Sequence, residues 1–117
     1  MNAHDTLTQV NSDINRMPYV AEMGDDDWTP IVPSGGDCDS YATAKFQALA
    51  DLGWPIEELR LATCWVETGG YHAVLLVDLS GQTWVLDNRY PLPMEFNLLN
   101  YKWHKLQIAG TEEWELA

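Results

Sequence analysis

The sequence predicts an α+β fold. Two segments in its first half repeat apolar residues at spacings of three and four, the mark of amphipathic helix. Three later segments are short, rich in leucine, β-branched and aromatic residues, and joined by glycine turns, the mark of an antiparallel meander. Helix runs come first and strand runs after, without the alternation that builds a parallel sheet. At 117 residues and 46% hydrophobic content the chain suits one domain, residues 1–117, with a real core. Six tryptophans, spread from Trp28 to Trp114, argue against disorder.

Taken in order, residues 5–17, DTLTQVNSDINRM, set Leu7, Val10, Ile14 and Met17 on one helical face, with Asp5 as N-cap. Residues 18–36 hold three of the six prolines, three of the eight glycines and an acidic triplet, so they predict an irregular loop. A loop of that length in a compact domain usually has a function. From Cys38, the stretch CDSYATAKFQALADLGWP predicts a helix of about four turns, stopped by Gly53 and Pro55. Strands follow over LRLATCWVET, YHAVLLVDL and QTWVLDN. Pro91 and Pro93 then forbid regular structure before a last strand over YKWHKLQI.

Six Lys and Arg against eighteen Asp and Glu give a net charge of −12. That field repels phosphate backbones and anionic headgroups, so nucleic acid and membrane surfaces are not expected as partners. Solubility, a cationic partner and mimicry of a nucleic-acid surface remain as readings of the acidity. The first residues lack a basic region followed by an apolar stretch, and no window approaches the roughly 18 to 20 apolar residues of a membrane span. The expectation is a soluble, cytoplasmic protein, periplasmic if a signal has been removed. The oligomeric state is not legible.

The chain has two cysteines, in different settings. Cys64 lies in an apolar strand run, where a thiol is expected to be buried and inert. Without a secretory signal, two cysteines are weak grounds for a disulfide. Cys38 instead follows Gly35, Gly36 and Asp37 and opens a helix, where backbone N–H groups lacking intrahelical partners lower a thiol's pKa. The dipole supplies only about 0.3 to 1 kcal/mol, so a useful nucleophile also needs an imidazole. His4 is expected in a mobile terminal segment and His104 on a solvated strand face. His72 opens a strand directly after a glycine pair, where its side chain can reach a helix start. Asp87 ends the next strand; if residues 72–77 and 82–87 pair as a hairpin, His72 and Asp87 come out side by side. Alone, Asp87 also reads as a turn former.

GGDCDSYATAK, LGWP with LRLA, GYHAVLLV and WVLDNRYPLP, in this order and spacing, resemble the bacterial transglutaminase-like cysteine peptidases, a group of the papain-like superfamily. LTQVN, Tyr19 and DDDWTP fit the family's lead-in, so the resemblance covers nearly the whole chain. It implies a papain/transglutaminase-like fold in which the helix bearing the cysteine packs on a small antiparallel sheet. It also implies Cys38 as nucleophile, His72 as general base and acid, and Asp87 as the group orienting His72. Members act by acyl transfer, usually peptide hydrolysis through a thioester. The best-understood ones are periplasmic proteases that cut large surface adhesins and need calcium, held by acids that match Asp37 and Asp39 here. Ser40 stands where the family usually has a third acid, and two carboxylates are few for a hard cation. The resemblance thus implies a cysteine peptidase acting on proteins or peptides, with no cofactor required by the triad itself.

On that reading the backbone N–H of Cys38, with a donor from the 28–36 loop, would hold the oxyanion, and Trp28 and Trp65 are candidate cleft walls. Two other functions stay open: a non-catalytic acidic binding module on the same fold, and acyl transfer to an amine. Thiol-dependent turnover separates the first from a peptidase, and product analysis the second.

Overall fold

Asn2, rather than Asp5, opens the first helix in the computed structural model, which describes residues 2–17 and 38–117. Helix α1 spans Ala3–Asn15, and the Asn2 side-chain oxygen accepts the Asp5 N–H at 2.8 Å. The helix therefore starts earlier than its apolar stripe, and Asp5 falls in the first turn, where its charge suits the positive helix end. His4 is drawn into the helix with it: its ring lies edge-on to Trp84 at 4.8 Å, contrary to the mobile segment expected there. The predicted stripe holds, with Leu7 and Val10 buried and Ile14 and Met17 packed beside buried neighbours.

Helix α2 spans Cys38–Asp51, as the sequence predicts. Gly53 ends it at φ +92°, a left-handed conformation that a Cβ disfavours. The Trp54 N–H then reaches back to the Leu49 carbonyl at 3.0 Å and the Gly53 N–H to Ala50 at 3.0 Å, a Schellman closure. The irregular loop expected over 18–36 lies outside the described residues.

The strands form one antiparallel sheet in the order β4-β3-β2-β1-β5-β6. They span Leu59–Trp65 (β1), Tyr71–Leu79 (β2), Gln82–Leu86 (β3), Met94–Glu95 (β4), Lys102–Gln107 (β5) and Trp114–Leu116 (β6). The expected meander is β1-β2-β3, and the expected last strand is β5, which returns to pair with β1. β4 and β6, of two and three residues, are too short to show a period and were not foreseen.

Strand β2 is covered on both faces, which explains its unbroken AVLLV run. Leu75 and Val77 pack with Leu59 and Leu86 against Leu7, Val10 and Leu49 of the helices. Val74 and Leu76 pack with Ala62 and Val85 beneath Trp103 and Leu106. Each such side chain contributes about 1.5 to 3 kcal/mol on burial, so the strand that carries His72 is among the best anchored. No described helix is long and apolar enough to cross a membrane.

Candidate active site

Strand β2 begins Tyr71-His72, and pairing with β1 sets His72 directly across from Cys64. The β2–β3 turn is a two-residue Ser80-Gly81 loop with φ of 54° and 78°, the mirror-image turn whose twist suits a hairpin. It pairs Leu79 with Gln82 and Leu75 with Leu86. Carried one step further, this register places Asp87 across from Val74, two residues beyond the His72 pairing expected from sequence. Because the offset is even, the two side chains stay on one face as diagonal neighbours. The imidazole Nε2 donates to Asp87 Oδ1 at 2.7 Å, leaving Nδ1 as its other ring nitrogen. His72 is 8% exposed and Asp87 fully buried.

Asp87 is also the turn former it was expected to be. Its Oδ1 accepts the Arg89 backbone N–H at 2.9 Å, closing an Asx turn. Asn15 of α1 donates to the carbonyls of Asp87 and Tyr90, each at 3.1 Å, and Asn11 to that of Tyr90 at 3.0 Å, so the first helix holds this turn in place. The second carboxylate oxygen accepts a hydrogen bond from the Tyr101 hydroxyl. Burial alone would raise the Asp87 carboxyl, but hydrogen bonds and charge from His72, then the Tyr101 and Arg89 donors, hold it below the usual range.

Cys38 is the first residue of α2, half-buried, with its Sγ 3.7 Å from Asp39 Oδ1. The body of α2 packs chiefly on β2. Burial pushes the Cys64 thiol up to about 12, and the negative charges of Asp87 and Cys38 add to that. Cys64 therefore lies within the field of both, and it faces His72 across the sheet. Cys64 is buried as expected, and both cysteines are free thiols.

His104 departs from the solvated position expected of it. It is half-buried, its ring lies 4.7 Å from Trp65, and its Nδ1 is 2.8 Å from the Tyr71 hydroxyl. Trp65 packs on Tyr71, its pairing partner on β2, at 5.3 Å, one residue out of phase with the Cys64–His72 pair and so on the other face of the sheet. Trp28, Asp37 and the 28–36 oxyanion donor lie outside the described residues. Tyr101, Arg89 and Glu67 were missed. Nothing in NYKWH marks Tyr101, because its partner Asp87 is brought to it only by the return of β5 to β1.

A profile of the bacterial transglutaminase-like cysteine proteinases (BTLCP) matches residues 2–116. The chain belongs to that family and is a cysteine peptidase of α+β fold, with proteins or peptides as its substrate class. Among solved structures it is similar to calcium-bound LapG of Legionella pneumophila, with a TM-score of 0.85 and 25% identity over 99% of this chain and 70% of that one. EGTA-treated LapG superposes with a TM-score of 0.78 and 25% identity, over 96% and 70% of the two chains. A further LapG structure, at 24% identity and a TM-score of 0.79 over 97% and 68%, shares the fold. No curated protein sequence matches the chain.

Of the two acids the resemblance assigns to calcium, only Asp39 is described, and it is 7% exposed. Among the described residues no three His, Cys, Asp or Glu side chains gather into a cation cage.

Proposed function

We propose that Cys38, His72 and Asp87 form the catalytic triad of this peptidase. The observation that supports it best is the buried 2.7 Å contact between His72 Nε2 and Asp87 Oδ1. It fixes the ring and assigns the Nε2 proton to the carboxylate, so Nδ1 is the base for a thiol. Nδ1 takes the Cys38 proton, and Sγ attacks the substrate carbonyl carbon. The Cys38 backbone N–H, at a helix start where such groups lack intrahelical partners, faces the developing oxyanion. The imidazolium then protonates the leaving amine as the C–N bond breaks, giving a thioester; water attacks it with His72 again as base, the C–S bond breaks to release the acid, and the imidazolium returns its proton to Sγ. Asp87 keeps its negative charge throughout and stabilises the imidazolium.

Calcium enters by likeness to calcium-bound LapG, and the residues for it by the family resemblance. Asp39, with Asp37, would hold it beside the nucleophile, where its charge would offset that of the acids flanking Cys38. A cysteine-directed probe with a peptide-like acyl group tests both points. The wild-type protein should be labelled at Cys38 and not at Cys64, Cys38→Ala should take no label, and His72→Ala should lose turnover. Equal, slow labelling of both cysteines would rule out an activated Cys38. A labelling rate that falls with chelator and returns with calcium supports the ion; a rate indifferent to both removes it.

A further inference from the structure

We infer that Tyr101 is a positioning residue for the Asp87–His72 pair, braced by Arg89, which Glu67 holds from the β1–β2 turn. The inference rests on the triad proposed above. Asp87 Oδ1 is engaged by His72 Nε2 and the Arg89 N–H, while Oδ2 has the Tyr101 hydroxyl. A carboxylate held through one oxygen can still swing about its last torsion, which is broad. A donor on the second oxygen fixes the plane, and with it the direction in which Nε2 is held.

The roles along this chain are forced. Arg89 Nη1 lies 3.0 Å from the Tyr101 oxygen, and a guanidinium only donates. The single hydroxyl proton therefore goes to Asp87. Burial, and then that hydrogen bond, push the Tyr101 hydroxyl well above the ordinary phenol range, so it remains a donor at any working pH. Arg89 forks onto Glu67, Nη2 to Oε1 at 2.6 Å and Nη1 to Oε2 at 3.0 Å, a bidentate pair with directional grip. Its guanidinium also lies over the Tyr101 ring, 5.6 Å from the centroid. Tyr101 is 9% exposed and its ring stands edge-on to the imidazole at 6.2 Å, so water is poorly placed to replace either contact. Glu67 lies in the turn that leads to His72, Arg89 lies in the turn that Asp87 opens just after β3, and Tyr101 precedes β5. One chain of contacts thus ties together the segments carrying the imidazole and the carboxylate.

Tyr101→Phe keeps the ring and removes the donor. Its kcat should fall about ten- to hundred-fold with KM little changed, as for a small misplacement of a catalytic group. With one competing donor gone, more of the carboxylate's charge falls on His72, so the pH limb belonging to the imidazolium should move to higher pH. Arg89→Met, which leaves the backbone N–H to Asp87 intact, should shift the same limb the same way by less. A purely structural role would lower the melting temperature of both variants and leave the limb in place, and that result overturns the inference. If Tyr101→Phe does not fold, the limb of Arg89→Met decides alone. Cys38→Ala and His72→Ala separate the levels: turnover surviving in them sinks the triad, whereas turnover lost in them with an unchanged Tyr101→Phe profile sinks only the positioning role.

Discussion

At the scale of single residues, Asp87 carries the heaviest demands in the molecule. Its carboxylate is fully buried, yet it accepts from His72, Arg89 and Tyr101, and these donors outweigh the burial that would otherwise neutralise it. Asp87→Asn keeps the shape but removes the charge and offers an amide N–H where only acceptors are wanted. We expect turnover to drop by about 10³- to 10⁴-fold, the scale seen when the acid of such a triad becomes an amide. Stability at neutral pH should fall by about 3 kcal/mol, as for breaking a buried charged pair. The pH dependence has a definite sign. The folded pKa lies below the unfolded value of about 3.9, so the stabilisation is complete above that pH and drains away as pH falls through the folded value. Urea unfolding at pH 7 and pH 3 should show the gap between wild type and Asp87→Asn shrinking in acid; a constant gap would mean that the charge is not what matters.

At the scale of elements, α2 presents Cys38 and, two turns on and on the same face, Lys45. Lys45 is fully buried, and its Nζ has no hydrogen-bond partner among the described residues. Burial drives its pKa down to about 7, only partly resisted by the negative charge of Asp87. The unfolded chain thus holds this proton to higher pH than the folded one, so stability rises with pH from about 7 until the unfolded lysine titrates near 10.4. Lys45→Met should raise the melting temperature most near pH 6, by about 2 to 5 kcal/mol in unfolding free energy, with the advantage fading toward pH 10. An advantage that does not vary with pH would contradict a buried, depressed ammonium. Sequence spacing revealed α2, its glycine stop and the β1-β2-β3 meander, because helix and strand periods and glycine turns are local signals. It also brought His72 and Asp87 to one face, but the register was two residues off, since the left-handed Ser80-Gly81 pair makes a tighter turn than assumed. Asn2 as cap, His4 on Trp84 and Tyr101 on Asp87 were not legible. The last two depend on contacts between segments far apart in the chain, and the first competed with an equally good capping acid three residues on.

At the scale of the whole molecule, eighteen Asp and Glu against six Lys and Arg leave a net charge of −12. Arg16, Arg60 and Arg89 are each engaged by an acid, Asp13, Asp78 and Glu67, and Lys45 is buried. Lys102 and Lys105 of β5 are the cations left to offset the remaining carboxylates, and Lys102 itself lies over Trp65, 5.9 Å from the ring centroid. We expect a substrate approaching the Cys38 end of α2 to meet the field of this net charge, which would concentrate cationic peptides and repel acidic ones. The effect acts on encounter rather than on the bonds that break, so it belongs in kcat/KM and not in kcat. Raising the salt from 10 mM to 1 M shortens the screening length from about 30 to about 3 Å, and most of a surface field is lost over that range. For a lysine- and arginine-rich peptide, kcat/KM should fall about ten-fold or more across it, while a neutral peptide of the same length changes little and an acidic one improves. Matched peptides followed at several salt concentrations measure this directly, and parallel slopes for all three would show that the surface charge plays no part in substrate choice.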